Sequence, residues 1–558
     1  MDSAARPGGS GQESTPDTGQ LKPGHVTAPH RRRFLAMAGL AAGSAPLAGT
    51  RPAGLVSPAA PRRSGRNGGI RASGPSLAGP GSADWAALRS ALSTHTLIRP
   101  GQPSYPAAKE LYDPRFDDLS PAGIAYCATA SDVSACVAFV RKFGLPVAAR
   151  SGGHSYAGWS STTGLIVDVT AMNSFQVAGG TVTVGTGLQL IDMYNRLAAA
   201  GLAVPGGTCA TVGVAGLTLG GGIGVLARAF GLTCDNLESL QIVTADGQLR
   251  TCDATQNGDL YWASRGGGGG NFGIATSFTF RAHQVSQLTH FNLSWPWSAA
   301  AQVVAGWQTW APAQPGGLWP GLRMAAAPGG GTPVIQVSGT YLGSVAGCQQ
   351  LLSQLYTAAG SAPLNPRNVY LTSYIDAMML QAGCGSYTFS ECHLPSQTKD
   401  GRLPRVPSYA KSDFFTQPIP TAGIQALIAG IEQMRAVQGA AGGLGEILLD
   451  AFGGALNQVN PSATAFVHRD SLFLAQYYTR WNDGGSAAGA DRQHAWLRTL
   501  YASVHPYASG QAYQNYIDPD LTNWQQAYYG ANYTRLSQVK AAYDPHQVFR
   551  FPQGITPA

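Results

Sequence analysis

His154 and Cys209 are side chains with reactive groups, and each stands inside a glycine-rich stretch of the sequence. His154 belongs to residues 150–158, which read Arg-Ser-Gly-Gly-His-Ser-Tyr-Ala-Gly. Paired glycines let backbone N–H groups approach a phosphate closely, and Arg150 and Ser151 add a positive charge and a hydroxyl. The stretch lacks the Gly-x-Gly-x-x-Gly spacing of a nicotinamide dinucleotide site. Taken alone, it also fits a plain loop with a surface histidine.

Two further glycine-rich stretches follow along the chain. Cys209 lies in residues 205–216, which lead into the Gly-Gly-Gly-Ile-Gly of residues 220–224, and residues 265–274 contain five consecutive glycines. So many glycines cost chain entropy and are not expected in a plain core, so they predict a backbone pressed against a flat or extended ligand. A five-glycine run is also typical of a flexible linker, but its apolar and aromatic flanks favour an ordered loop beside the same ligand.

Short strands and helices alternate around these stretches and must position them. Ser131 and Asp132 are expected to cap the first helix, and Gly144 and Gly201 are expected to end the two helices. Several short β-branched strands bounded by turns favour an α+β domain over regular βαβ units. The predicted strands are 124–127, 147–149, 165–169 and 181–184, and the predicted helices are 131–143 and 188–200.

From about residue 285 the strands become longer and alternate apolar with polar residues, as in residues 290–297. Further strands are expected at 334–341 and 471–478, so the middle third is predicted to be an antiparallel sheet covered by helices. The fold class is therefore α+β. The predicted divisions are a signal segment and disordered tail at 1–84, a glycine-loop domain at 85–285, a substrate-binding domain at 286–505, and a C-terminal segment at 506–558 that returns to the glycine-loop domain.

The charge of the chain is concentrated near its amino terminus. The formal charge is +7, yet only 12% of residues are charged and 44% are hydrophobic, which is typical of a globular protein. Removing the tail leaves a nearly neutral body, which argues against a nucleic-acid partner. The arginines of the tail include Arg31, Arg32, Arg33, Arg51, Arg62, Arg63, Arg66 and Arg71.

Residues 31–35 of this tail, Arg-Arg-Arg-Phe-Leu, precede a mild apolar run at 36–48. That run is too short and too glycine-rich to span a membrane. The order of features is typical of a twin-arginine signal, which the export machinery recognises before the signal is removed. The alternative is a disordered basic tail. No other stretch of the sequence is apolar enough for a membrane span, so we expect an extracytoplasmic or secreted product.

Eight cysteines are too few for a disulfide scaffold in a chain of 558 residues. Cys384 and Cys392 share a loop-like stretch, which makes them the pair expected to form a disulfide if one exists. No cysteine or histidine spacing fits a metal site. Apolar surroundings predict that the following cysteines are buried small hydrophobes: Cys127, Cys136, Cys234 and Cys252.

Trp295, Trp297 and Trp307 invite a second interpretation, since indole rings stack on sugar faces. Large aromatic side chains more often serve as core. We therefore favour a core helix for Trp307 and Trp310, and a sheet interior for Trp295 and Trp297.

The three glycine-rich stretches together resemble those of the berberine bridge enzyme-like group of FAD-linked oxidases, within the vanillyl-alcohol oxidase superfamily. The resemblance extends to Ala-Tyr-Gln-Asn-Tyr at 512–516, Tyr-Tyr-Gly-Ala-Asn at 528–532, and residues 543–549, and covers roughly residues 110 to 556. It implies FAD as the cofactor, a two-part FAD-binding domain, and a substrate domain with an antiparallel sheet covered by helices.

The resemblance also implies that FAD is bound through two covalent bonds. His154 sits where the family attaches the flavin 8α-methyl carbon to a histidine ring nitrogen, and Cys209 sits where bicovalent members bond sulfur to flavin carbon 6. Both bonds need a nucleophile held rigidly against an electrophile. The alternative for Cys209 is a buried, inert thiol. The other cofactor-binding residues that the resemblance implies are Arg150, Ser151, Gly152, Gly153, Ser155, Thr208, Thr211, Val212, Gly213, Gly216, Gly220, Gly221, Gly222, Gly224, Gly273, Ile274, Tyr513 and Asn515.

For catalysis, the resemblance places the family's catalytic tyrosine at Tyr516. A phenol of ordinary pKa is a poor base at neutral pH and needs neighbouring hydrogen-bond donors or a positive charge that stabilise its phenolate. Gln476 falls where plant alkaloid-type members carry a glutamate, which puts carboxylate-driven ring closure in doubt. Tyr478 is either a second catalytic tyrosine or a core aromatic. Valine at position 212 resembles the oxygen-reactive members, because a bulkier residue blocks oxygen from the flavin.

The function expected from the sequence is oxidation of an alcohol or hemiacetal carbon in a saccharide or secondary metabolite, with molecular oxygen reduced to hydrogen peroxide. The alternatives are a dehydrogenase that uses another electron acceptor, an oxidative ring-forming enzyme, and a flavoprotein without turnover. Slow reoxidation in air would indicate the dehydrogenase.

Overall fold

The structure is a computed structural model and describes residues 79–438, 443–481 and 487–558. The predicted export signal lies outside these ranges, as does the tail up to residue 78. The first helix, Ser82–Ala91 (α1), begins ahead of the predicted tail boundary at residue 84, because Trp85 and Leu88 bury one of its faces.

The amino-terminal half carries short strands in small sheets. Its strands are Leu97–Ile98 (β1), Gly123–Tyr126 (β2), Val147–Arg150 (β3), Leu165–Asp168 (β4), Phe175–Ala178 (β5), Thr181–Gly185 (β6), Leu202–Ala203 (β7), Leu237–Thr244 (β8), Leu249–Cys252 (β9), Gly273–Arg281 (β10) and His283–Gln284 (β11). Its remaining helices are Tyr105–Ala108 (α2), Ala130–Phe143 (α3), Leu190–Ala199 (α4), Val214–Leu219 (α5), Ala227–Phe230 (α6) and Gly258–Ala263 (α7). The sheet orders are β1-β2-β4-β3, β5-β6-β10-β8-β9 and β11-β7.

Helix α3 joins two strands of the first sheet, in which β2, β4 and β3 run parallel. Its N-cap is Thr129 rather than the predicted Ser131, because the extended backbone of Thr129 lets its hydroxyl accept the N–H of Asp132 at 3.2 Å. The Asp132 carboxylate accepts the Thr129 N–H in return, which forms a capping box. Gly144 ends the helix as predicted, with φ of 63°.

The second half is built on one large antiparallel sheet. Its strands are Gln287–Trp295 (β12), Leu318–Ala325 (β13), Val334–Tyr341 (β14), Val369–Ser373 (β15), Ser408–Phe415 (β16), Leu444–Ala451 (β17) and Phe473–Arg480 (β18), in the order β15-β12-β14-β13-β17-β18-β16. The helices that follow α7 are Ala300–Ala313 (α8), Val345–Ala358 (α9), Tyr374–Gln381 (α10), Thr421–Gln438 (α11), Ala487–Val504 (α12), Trp524–Tyr529 (α13) and Tyr533–Tyr543 (α14).

Alternation along the strands gives this sheet an apolar face and a polar face. Phe473, Ala475 and Tyr477 pack with α8, α9, α11 and α12 in one hydrophobic core, so the intervening Gln476 and Tyr478 face the opposite side. This arrangement confirms the predicted α+β class with a helix-covered antiparallel sheet. The boundaries predicted at residues 285 and 505 remain predictions.

The tryptophans belong to the core, as expected. Trp307 and Trp310 on α8 are buried, and Trp295 is buried at the end of β12. Trp297 lies just past that strand, where it is half-buried against the same core and its Nε1 donates to Glu432 at 2.5 Å. These side chains therefore offer no open stacking surface for a sugar.

The disulfide between Cys384 and Cys392 is present, which confirms the predicted pair. The four cysteines predicted to be buried are buried. Among residues 79–438, 443–481 and 487–558, no helix is both long and apolar enough to cross a membrane. The same ranges contain no cluster of three or more histidine, cysteine or acidic side chains that suits a metal ion.

Candidate active site

The loops that carry His154 and Cys209 touch backbone to backbone. A Cβ atom added at Gly152 would overlap the backbone nitrogen of Gly213, and one added at Gly213 would overlap Ser151. Gly153 has φ of +69°, in the left-handed region that glycine tolerates. The contact between the two loops therefore requires glycine at positions 152 and 213, and the backbone conformation favours glycine at position 153.

His154 is held in one orientation from two sides. Its ring stacks on that of Tyr112, with centroids 3.9 Å apart, and its Nε2 hydrogen-bonds to the Thr211 hydroxyl at 2.8 Å. Burial lowers the pKa of His154 to about 3. The imidazole is therefore neutral at physiological pH and keeps a nitrogen lone pair for bonding.

Cys209 lies near the tyrosines around His154, since it interacts electrostatically with Tyr112 and Tyr156. Its side chain is exposed, in contrast to the other unpaired cysteines of the described residues, which are buried. The inert, buried thiol considered from the sequence is therefore wrong for Cys209. Desolvation by the surrounding protein raises the pKa of the thiol, while a hydrogen bond from Thr208 acts in the opposite direction.

Four aromatic and amide side chains complete the cluster around Cys209. Gln476 Nε2 donates to the Tyr156 hydroxyl at 3.0 Å. The Tyr156 ring lies 6.4 Å from that of Tyr478 and 6.0 Å from that of Tyr516, both edge-on. Burial raises the pKa of Tyr478 to about 12, and it raises that of Tyr516 well above the ordinary value. The structure thus brings together all three predicted catalytic residues.

Asp450 is a site residue that the sequence analysis missed. It lies on β17, on the same sheet face as Gln476, and its charge acts directly on the pKa of Tyr516. Burial raises the pKa of Asp450 to about 7. Tyr112 and Tyr156 were also missed; Tyr156 stands two residues after His154 within the quoted stretch, which was a usable signal.

The C-terminal segment holds the second and third glycine stretches in place. The Tyr513 hydroxyl accepts the backbone N–H of Gly222 at 2.9 Å, and Asn515 Nδ2 donates to the Leu217 carbonyl at 3.0 Å. Gln514 Nε2 donates to a carbonyl of the third stretch at 2.6 Å. The side chains of Tyr513 and Asn515 are thus hydrogen-bonded to the backbone of the loops and hold that backbone in position.

Some predicted cofactor residues do not reach the cluster. Arg150 forms an ion pair with Asp168 at 2.5 Å inside the protein, and Ser151 donates to a backbone carbonyl. Gly273 and Ile274 are buried in β10. Gly216 behaves differently, because it is exposed and has open space where a side chain would stand.

The residues of this cluster fit an FAD molecule. They include a neutral imidazole and an exposed thiol, and Gly216 leaves its backbone open to a ligand. The flat, electrophilic ring of a flavin matches this pair of nucleophiles.

Comparison with known proteins agrees with this fit. Residues 121–253 match the family model described as FAD binding domain, and residues 512–556 match the one described as Berberine and berberine like. The uncharacterized FAD-linked oxidoreductase YgaK of Bacillus subtilis (strain 168) is 33% identical over 451 residues, which cover 79% of this chain and 92% of that protein. The berberine bridge enzyme-like Cyn d 4 of Cynodon dactylon is 30% identical over 477 residues, covering 79% and 85%.

A solved structure of chitooligosaccharide oxidase superposes with a TM-score of 0.72 at 27% identity, covering 85% of this chain and all of the other. Fold and site thus define an FAD-dependent oxidoreductase with a binding domain of the vanillyl-alcohol oxidase type. The chain belongs to the berberine bridge enzyme-like family of FAD-linked oxidoreductases.

Proposed function

We propose that this enzyme oxidises an alcohol or hemiacetal carbon of a saccharide, with FAD bonded to His154 and Cys209 and with oxygen reduced to hydrogen peroxide. The observation that carries the proposal is a cluster beside the polar sheet face. In it, Cys209, Tyr516 and Asp450 interact electrostatically, and Tyr112 connects His154 to them. When bound, FAD supplies the hydride acceptor. The chain supplies the substrate surface and the base.

Attachment of FAD needs two nucleophiles and an oxidant. Each attachment replaces a C–H bond and an N–H or S–H bond by one C–N or C–S bond. The two electrons and two protons released convert one molecule of oxygen into hydrogen peroxide. The neutral ring of His154 and the exposed thiol of Cys209 support this assignment, since the imidazole carries no proton on its second nitrogen and the thiol is not buried in a core.

Tyr516 is proposed to take the substrate proton while it passes its own proton towards Asp450. The raised pKa of Tyr516 makes a standing phenolate unfavourable, so the tyrosine needs an acceptor for its own proton. Asp450 interacts electrostatically with Tyr516 and titrates near neutral pH. Its carboxylate can therefore accept the proton, directly or through one water.

The polar face of the large sheet favours a saccharide as the substrate. A row of neighbouring positions crosses the strands from Gln476 through Leu448, Arg323 and Gln336 to Ser294. Arg323 Nη1 donates to Gln336 at 3.2 Å, and Gln336 donates to Ser294 at 3.4 Å. Strand spacing makes this row about 19 Å long. An elongated ligand rich in hydroxyls suits such a surface, and the similarity to chitooligosaccharide oxidase points to the same class.

The valine at position 212 favours the proposal that oxygen is the electron acceptor. It is half-buried beside the Cys209 loop, and its N–H contacts the Cys209 carbonyl at 3.4 Å. Since the resemblance associates valine here with oxygen access, we propose that this position leaves a path to the flavin. We also propose export by the twin-arginine route, which carries folded proteins and allows FAD to be loaded first.

The oxidase proposal predicts that saccharides reduce the flavin without air and release peroxide when air is admitted. Purified protein is mixed anaerobically with neutral mono- and oligosaccharides and with phenolic alcohols, and loss of the visible flavin absorbance is followed. Peroxide is then measured after aeration, with one molecule expected per substrate oxidised. Val212→Leu is the matched variant, and it should slow reoxidation without slowing reduction.

Fast reduction followed by slow reoxidation of the wild-type protein would establish a dehydrogenase. Reduction by phenolic alcohols alone would overturn the saccharide assignment. A flavin that stays oxidised with every compound would indicate a protein without turnover on these classes.

The titration of Asp450 predicts a pH-dependent rate. Its pKa of about 7 means that the carboxylate exists above pH 7 and is lost below it. We expect kcat/KM to fall about tenfold per unit below pH 7 and to level off above it. Asp450→Asn should lower kcat/KM by about 10²-fold and remove this inflection. Asp118→Asn, an exposed aspartate, is the control and should retain it. An unchanged inflection in Asp450→Asn would assign the titration to another group.

A further inference from the structure

The disulfide loop, residues 384–392, packs directly beside Cys209. It follows α10, and its two half-cystines are buried in a small apolar cluster with Ile191, Met379 and Ala210. Ala210 is the residue after Cys209 and is itself buried. The disulfide therefore forms part of the support for the backbone that carries the reactive thiol.

The opposite support comes from helix α4. Ile191 N donates to the Ala210 carbonyl at 3.0 Å, and the Tyr194 hydroxyl donates to the Gly207 carbonyl at 2.7 Å. Residues on both sides of Cys209 are thus tied to one helix. The thiol itself is exposed, so its position depends on this backbone and not on side-chain packing.

His393 connects the disulfide loop to the same helix. Its Nε2 lies 3.4 Å from Asp192 Oδ1, and its Nδ1 lies 3.0 Å from the Phe389 carbonyl within the loop. The His393 ring is buried. The loop and α4 are consequently joined around Ala210, with the Cys209 backbone enclosed between them.

We infer that the Cys384–Cys392 loop positions Cys209 for its bond to FAD, a role that rests on the proposed bicovalent attachment. Forming the C–S bond consumes the S–H and a flavin C–H bond, with oxygen taking the two electrons and two protons. A thiol on a loose backbone meets the reacting carbon less often, so the yield of this bond falls when the support is removed.

His154 has a support outside the disulfide loop, although its Nε2 also bonds to Thr211, the residue after Ala210. Its ring stacks on Tyr112, and the Tyr112 N–H donates to the Gly153 carbonyl at 3.1 Å. Loss of the disulfide should therefore reduce attachment at Cys209 more strongly than attachment at His154. This difference separates positioning from a general loss of folding, which would reduce both bonds to the same extent.

The test is peptide mass spectrometry on the full chain after acid precipitation and digestion. In the wild-type chain, peptides containing His154 and Cys209 should both retain flavin. In the double variant Cys384→Ala, Cys392→Ala, the flavin-linked fraction at Cys209 should fall at least threefold, and the fraction at His154 should fall by a smaller factor. Cys348→Ala, a buried cysteine of α9 in a separate core, is the control and should match the wild type.

A wild-type chain without flavin at Cys209 would defeat the bicovalent proposal itself. If flavin is linked to both residues in the wild-type chain and to the same extent in the double variant, only the positioning role is overturned. If the double variant fails to fold, His393→Gln provides the same comparison with the disulfide intact. An unchanged Cys209 fraction in that variant would also contradict the inference.

Discussion

Replacing Tyr516 by phenylalanine is expected to slow anaerobic flavin reduction by about 10²–10⁴-fold, the usual contribution of a general base. Phenylalanine keeps the ring that packs 5.0 Å from Tyr513 and 6.0 Å from Tyr156, so the cluster should remain assembled. Stopped-flow absorbance with saturating saccharide measures the reduction step without interference from oxygen. Flavin content, read from the denatured protein, should equal that of the wild type.

Tyr478→Phe is the matched control, since both tyrosines contact Tyr156 edge-on. Its effect should be well below that of Tyr516→Phe, because its ring lies on the sheet beside Gln476 and its charge is not coupled to Asp450 in the same way. A larger loss of rate in Tyr478→Phe than in Tyr516→Phe would identify Tyr478 as the base. Equal losses in both single variants, with no further loss in the double variant, would show that the two tyrosines act as a unit.

Replacing Lys540 by methionine is expected to lower the free energy of unfolding by about 3–5 kcal/mol, because it leaves a buried carboxylate without its partner. Lys540 and Asp544 are both fully buried, and Nζ lies 2.7 Å from Asp544 Oδ2. The same ammonium donates to the carbonyls of Asn271 at 2.5 Å and Phe549 at 2.6 Å. Urea unfolding followed by tryptophan fluorescence measures the loss.

Two comparisons sharpen this stability measurement. Lys142→Met breaks an exposed pair with Asp84, in which the lysine side chain is 66% exposed, and should leave the unfolding midpoint unchanged. The double variant Lys540→Met, Asp544→Asn should lose less than Lys540→Met alone, since no uncompensated charge remains. A single variant as stable as the wild type would mean that solvent reaches Asp544 and removes the penalty.

Much of the fold could be predicted because local patterns decide it. The strand expected at 334–341 is β14 to the residue, and the helix expected at 131–143 begins one residue early. Both are set by alternation or by periodicity within a few residues. The cap of α3 was misplaced because Ser131 and Thr129 are equally good cap residues, and only the extended backbone of Thr129 distinguishes them.

The site was predictable where its residues share a short motif. His154 and Cys209 stand out in the sequence because glycines surround them, and the structure adds a packing reason for two of these glycines, Gly152 and Gly213. Asp450 has no such motif and resembles any polar residue of a half-buried strand. Its proposed role rests on its electrostatic interaction with Tyr516, which joins residues far apart in the chain and is encoded by no local pattern.

The bonds between the C-terminal segment and the glycine stretches also bear on how the protein is made. Asn515 reaches back 298 positions to Leu217, and Gln514 reaches back 248 to the third stretch. Contacts of such separation form late, and a ribosome delivers the amino-terminal part first. The glycine loops therefore gain these bonds only after residues 513–515 have been synthesised. A chain that stops before this segment lacks the bonds, and we expect its glycine loops to be less firmly held.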